Sequence, residues 1–155
     1  MTTAADLFRA APDLMQSWTG TSQAVAASLE TSLVHLVETR ASQINGCANC
    51  INLHTTAALE AGESAKRLFL LSAWREAPCF TPRERAALRW TDALTRLSEG
   101  PALHDARTEL EAHFTLPEQL KLTLMVNVIN GWNRLAVGFG MFVEPAEAKA
   151  AARSA

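Results

Sequence analysis

Two cysteines and a histidine stand close together in the sequence: Cys47-Ala48-Asn49-Cys50, then His54 four residues on. Gly46, just before them, can end one helix and leave Cys47 near the start of the next. At about 100° per residue the three side chains then fall within an arc of about 60° on one helix face. Cys50 and His54, as i, i+4 neighbours, can touch. A thiolate, not a thiol, attacks a peroxide or a disulfide, and a helix N-terminus and a nearby imidazole both favour the anion. His54 can take the proton from Cys50, and Cys47, one turn away, can close on a sulfenic acid to form a disulfide. An external thiol donor then completes the cycle. Helix-dipole reasoning favours Cys47 as the more acidic thiol because it lies nearer the N-terminus, whereas contact with His54 favours Cys50.

The same residues have other readings. Cys-x2-Cys-x3-His supplies three zinc ligands, with His35 in principle a fourth. No second Cys/His cluster accompanies them, however, and the chain is too apolar to need a metal for folding. Both cysteines could instead be small buried hydrophobes, a reading that a co-facial histidine disfavours. Cys79 follows Pro78 in a break between helices and has no partner in sequence, so it is read as a structural or incidental thiol. His104 and His113 lie in a charged segment and are read as surface residues. Three cysteines cannot form a fully paired framework. The N-terminus shows no basic region followed by an apolar run, so a cytoplasmic setting is expected. There the spacing points to redox chemistry or a metal, not a staple.

The elements that must position these residues are helices. The chain has 155 residues, enough for a single domain with a real core, expected over about residues 12–143 of 1–155. It holds 28 alanines and 20 leucines against 10 valines and isoleucines together, with no tyrosine. Such a bias argues for an all-α bundle and against a sandwich, a barrel or a parallel α/β sheet. The formal net charge is −2 and the pI about 6.1. No basic stripe suits nucleic acid; the densest group, Arg83, Arg85 and Arg89, reads as the wet face of a helix. The longest uncharged run in the C-terminal half, Leu122 to Asn133, is too short to span a bilayer.

Helix signals are frequent. Thr81-Pro82-Arg83-Glu84 and Thr115-Leu116-Pro117-Glu118 are capping boxes. The first should open a helix running to a stop at Gly100-Pro101. The second should open a long helix through Leu120, Leu124, Val128 and Leu135. Further helices are expected over about 12–27, 31–44, 48–61, 64–75 and 102–113, placing the cysteine pair at the N-terminus of a core helix. The first few residues and the Ala-rich end after Glu144 should fray. Phe69, Leu70, Trp74, Trp90 and Trp132 are assigned to the core.

The run Arg40-Ala41-Ser42-Gln43-Ile44-Asn45-Gly46-Cys47, then Cys50 and His54, resembles the alkylhydroperoxidase D branch of the carboxymuconolactone decarboxylase superfamily. The resemblance continues through Ala73-Trp74-Arg75, Phe80-Thr81, Glu84-Arg85-Ala86-Ala87-Leu88, Asn130 and Trp132-Asn133-Arg134-Leu135. It covers the chain from about residue 30 to 140. It implies an all-helical homo-oligomer, a trimer or a hexamer, acting as a thiol-dependent peroxidase without haem, flavin or metal. It further implies that Cys50 is peroxidatic, that Cys47 resolves, that His54 and an upstream glutamate relay protons, and that a lipoyl-bearing or other dithiol partner supplies electrons.

The sequence departs from that pattern in two places. The family's upstream glutamate lies twelve residues before the first cysteine; here that position is His35, and the nearest acid is Glu38, nine before. Either His35 takes the relay role, or Glu38 does so through water, or the relay is weaker. Glu38 is favoured, because a carboxylate can hold His54 in the needed tautomer. Asn49 stands where some members carry a histidine. Two alternatives remain: a non-enzymatic redox sensor or interaction module using the same dithiol, and decarboxylase-type chemistry, against which the cysteine pair argues.

Overall fold

The computed structural model describes residues 2–99 and 103–142. Among them all regular structure is helical: α1 (Ala4–Ala10), α2 (Pro12–Ala26), α3 (Thr31–Asn45), α4 (Ala48–Glu60), α5 (Ala65–Leu70), α6 (Pro82–Thr95), α7 (Leu103–His113) and α8 (Leu116–Gly138). Single 3-10 turns follow α5 and α6, at Leu71–Ala73 and Leu97–Glu99. No helix among the described residues is long and apolar enough to cross a membrane. The expected stop at Gly100-Pro101, residue 102 and the Ala-rich end after Glu144 lie outside the described residues.

The helix starts follow local chemistry. The Glu84 N–H donates to Thr81 Oγ1 at 3.2 Å and the Thr81 N–H donates to Glu84 Oε2 at 2.7 Å, with Pro82 at the first helical position. Glu118 likewise accepts the Thr115 N–H at 2.7 Å. The first few residues, expected to fray, carry a third capping box between Thr3 and Asp6, with α1 behind it.

Three further expectations are corrected. The helix expected over 64–75 stops at Leu70. The chain tightens there into the 3-10 turn Leu71–Ala73, with Leu71 and Trp74 buried against Leu36 and Phe80, and beyond it Arg85 on α6 donates to the carbonyls of Trp74 at 2.6 Å and Arg75 at 2.9 Å. Phe69 is not core but 80% exposed, because Leu68 and Leu71 are the residues that turn inward. Arg83, Arg85 and Arg89 are not a wet face. Arg83 donates to Glu30, Glu118 and the His113 carbonyl, and Arg89 to Glu109, so both tie α6 to its neighbours.

α3 is the central helix and packs against α4, α6 and α8. Val34, Val37 and Ala41 meet Ala86, Ala87 and Trp90 of α6 and Leu122, Met125, Val126 and Ile129 of α8. The inward face of α8 is therefore offset from Leu120 and Leu124, which are exposed. A second cluster joins Leu36, Leu71, Trp74, Phe80 and Leu88. Between the clusters Asp92 is buried and accepts from Arg40 Nε at 2.6 Å and Nη2 at 3.0 Å, with Arg75 Nη2 at 2.8 Å.

Two predictions follow from these charges. Asp92→Ala leaves the buried Arg40 unpaired and should cost about 3–5 kcal/mol of stability, read from urea denaturation. Burial pushes the Glu84 carboxyl up, but Arg67 and the Thr81 backbone outweigh it and hold it below its ordinary value. Thr115, with Arg83, holds Glu118 at about 2. A lowered folded-state pKa contributes stability above the ordinary carboxylate range and loses it as pH falls. The melting temperature should therefore drop as pH falls from about 4.5 towards about 2, and Glu118→Gln should flatten that dependence.

Candidate active site

Gly46 caps α3 in the left-handed conformation (φ 64°, ψ 28°). The Cys47 N–H donates to the Ser42 carbonyl at 3.0 Å, closing a Schellman-type turn. Cys47 is then the N-cap of α4, with extended backbone, and its Sγ accepts from the Cys50 N–H at 3.2 Å. Cys47 and Cys50 form a disulfide, Cα to Cα 5.3 Å. Helical-wheel arithmetic thus holds for Cys50 and His54 only; Cys47 reaches the pair from the cap. Both sulfurs are buried, in a small cluster with Ala136 and Met141.

Glu38 of α3 faces His54 of α4. Glu38 Oε2 lies 3.0 Å from His54 Nδ1, a direct contact across the α3–α4 pair that needs no intervening water. The same oxygen lies 3.8 Å from His35 Nδ1. Glu38 and His35 side chains are 14% exposed and His54 22%, so the three are largely shielded.

Cys50, His54 and Glu38 line a cavity of about 240 Å³. Leu53 and Asn49 complete its α4 side, and Val128, Trp132, Ala136 and Met141 form an apolar wall. Ser22 reaches in from α2 and accepts the Trp132 Nε1–H at 2.9 Å. Cys47 is not part of the lining. Trp132, assigned to the core, both packs and faces the cavity. Nothing in the sequence signals Ser22 or Met141.

A polar network that sequence reasoning missed holds the turn. Asn45 Nδ2 donates to Asn133 Oδ1 at 2.8 Å and to Asn130 Oδ1 at 3.0 Å. Asn133 Nδ2 donates to Ser42 Oγ at 3.0 Å, and Ser42 Oγ donates to the Glu38 carbonyl at 2.7 Å. Asn133 is 1% exposed. Asparagines in the apolar stretch of α8 were the available signal.

The remaining candidates lie elsewhere. Cys79 is a free thiol packed against the Leu36–Trp74–Phe80 cluster. His104 and His113 are exposed. Among the described residues no three His, Cys, Asp or Glu side chains stand together in a metal-holding group.

The sequence model of the carboxymuconolactone decarboxylase family matches residues 12–93. The uncharacterised protein YdfG of Bacillus subtilis is 32% identical over 114 residues, 74% of this chain and 78% of YdfG. The uncharacterised protein YnjA of Escherichia coli is 28% identical over 118 residues, 76% of this chain and 64% of YnjA. Among solved structures, a protein of unknown function from Agrobacterium tumefaciens, provisionally described as the antioxidant defence protein AhpD, superposes with a TM-score of 0.85. It is 39% identical, and the match covers 89% of this chain and 96% of that one. The debrominase Bmp8, in complex with 2,3,4-tribromopyrrole, shares the fold at 16% identity and a TM-score of 0.80, over 90% of this chain and 75% of that one.

The asparagine network is open to a direct check. Asn133→Ala leaves a buried Ser42 hydroxyl and Asn45 amide short of partners and should cost about 1–3 kcal/mol in urea denaturation. Asn127→Ala, on the exposed side of the same helix, should stay within about 0.5 kcal/mol of wild type.

Proposed function

The chain belongs to the carboxymuconolactone decarboxylase family, in its alkylhydroperoxidase D-like branch, and from that premise we propose that it is a thiol-dependent peroxidase cycling through Cys47 and Cys50. The observation that carries the reading is that Cys50, and not Cys47, opens onto the cavity shared with His54 and Glu38. A reacting peroxide placed there meets the sulfur and the imidazole together, as general acid–base chemistry requires.

The reduced enzyme starts with His54 taking the Cys50 proton, its other nitrogen held by Glu38. The Cys50 thiolate attacks the peroxide, the O–O bond breaks, and Cys50 becomes a sulfenic acid. The leaving alkoxide takes the proton back from His54 and departs as an alcohol. Cys47 then attacks the sulfenic sulfur, forming the disulfide and releasing water. An external dithiol reduces that disulfide and leaves as its own disulfide, restoring both thiols. Two electrons and two protons move from the donor to the peroxide, with no resident cofactor called on. The apolar wall of Val128, Trp132, Ala136 and Met141 favours an organic hydroperoxide.

In this reading residues 1–155 act as one domain in a thiol-reducing compartment such as the cytoplasm, with a lipoyl-bearing carrier as electron donor. Exposed Leu116, Leu120, Leu124 and Val137 offer apolar surface for assembly into a trimer or hexamer.

The test is consumption of cumene hydroperoxide with dihydrolipoamide. Cys50→Ser and Cys47→Ser should lose turnover, and His54→Ala should fall by about 100-fold. In Cys47→Ser a dimedone-trapped sulfenate should sit on Cys50. Equal rates in wild type and all variants would sink the mechanism, and a sulfenate on Cys47 in Cys50→Ser would reverse the two roles.

A further inference from the structure

We infer that His35 is the outlet through which the Glu38–His54 pair exchanges protons with solvent, on a side of the protein separate from the substrate cavity. The inference takes its chemistry from the dithiol cycle proposed above. His35 Nδ1 is buried and makes no hydrogen bond. It stands 3.8 Å from Glu38 Oε2, the same oxygen that lies 3.0 Å from His54 Nδ1. A closure of about 1 Å brings it into hydrogen-bond range. The His35 ring lines a second cavity, of about 410 Å³, between the start of α3 at Thr31 and Ser32 and the end of α4 at Ala61 to Glu63. The two cavities share no lining residue. The first ends at Glu38 and the second at His35, one helical turn apart.

The charged groups that face His35 fit this use. Glu38 lies on its own helix, and His54 of α4 meets it through the shared carboxylate. Glu63, at the rim of the second cavity, is held by Arg67 Nε at 2.9 Å, so that carboxylate is already committed. Thr31, Ser32, Ala61 and Gly62 are exposed, which opens the second cavity to water.

An apolar substrate or donor in the first cavity excludes water from His54. Protons that the exchange moves must then pass on the other side. During reduction, a donor thiol in the first cavity gives its proton to His54 and its sulfur attacks Cys50 Sγ; a mixed disulfide forms, and the Cys47–Cys50 bond breaks with the electron pair staying on Cys47. His54 passes that proton through Glu38 and His35 to solvent in the second cavity, and the Cys47 thiolate takes up a proton in its turn. The donor's second thiol loses its proton by the same route and attacks the mixed disulfide, releasing Cys50, which is protonated, and the oxidised donor.

The reductive half-reaction tests this without any peroxide. Oxidised protein is mixed with dithiothreitol in a stopped-flow instrument, for wild type, His35→Ala and His35→Gln, with and without added imidazole. His35→Ala should slow disulfide reduction about tenfold, and imidazole, entering the vacated space, should restore it to within about twofold of wild type. His35→Gln, which fills the space but carries no proton, should be slow and unresponsive to imidazole. Wild-type rates in either variant overturn the inference. So does a loss in a normally folded His35→Ala that imidazole does not repair. Wild type that is reduced by dithiothreitol yet consumes no hydroperoxide would defeat the peroxidase reading and leave the His35 result intact.

Discussion

Between Asn45 and Ala48 the chain leaves α3 and begins α4 within two residues, and the left-handed backbone of Gly46 is what allows so tight a reversal. That turn lays the two helices side by side in opposite directions. As a result Glu38, two turns from the end of α3, arrives opposite His54, nearly two turns into α4. It also makes Cys47 a helix cap, so that its sulfur faces the Cys50 N–H and stands beside the Cys50 sulfur. A longer connection would free the helices to slide, and a slide of one residue, about 1.5 Å, would break a 3.0 Å contact.

The turn is held from outside by two kinds of polar interaction. Asn45 is fixed to α8 through Asn130 and Asn133, and Ser42 links that network back to the Glu38 carbonyl. On the opposite side of α3, Arg40 is locked to Asp92 of α6. A buried pair of this kind contributes little net stability over a hydrophobic replacement, but it strongly penalises any arrangement that separates the partners. Apolar packing alone tolerates rotation of α3; the arginine and the asparagine together do not. Arg83 and Arg85 likewise bind backbone carbonyls, of His113 and Trp74, and tie α6 to the ends of neighbouring segments.

Much of this was legible in the sequence because the signals are local. Both predicted capping boxes form, Gly46 and Gly62 end helices, and Cys50 and His54 share a face because an i, i+4 spacing leaves no alternative. Glu38 was preferred to His35 on chemistry, and the contact it makes with His54, unlike the one expected, is direct. What failed was long-range. Phe69 looks like core by type, yet burial of Leu68 and Leu71 decides the face of a short helix. The tightening after Leu70 accompanies burial of Leu71 and Trp74 against Leu36 of α3, a residue distant in sequence. The cavity wall is the clearest case: Ser22, Trp132 and Met141 are far apart in sequence and belong together only through the packing of α2 and α8.

That division between local and distant residues also separates two tasks within the site. The groups suited to move electrons and protons, Cys47, Cys50, His54, Glu38 and His35, lie within one helical hairpin of 20 residues, from 35 to 54. Their mutual geometry is fixed by the Gly46 turn and by helix periodicity. The surfaces that decide what can approach Cys50 come from α2, from α8 and from the turn beyond it. Changes in Ser22, Val128, Trp132 or Met141 therefore alter the shape and polarity of the cavity without moving the Glu38–His54 contact. Such a separation lets the wall change while the turn stays fixed.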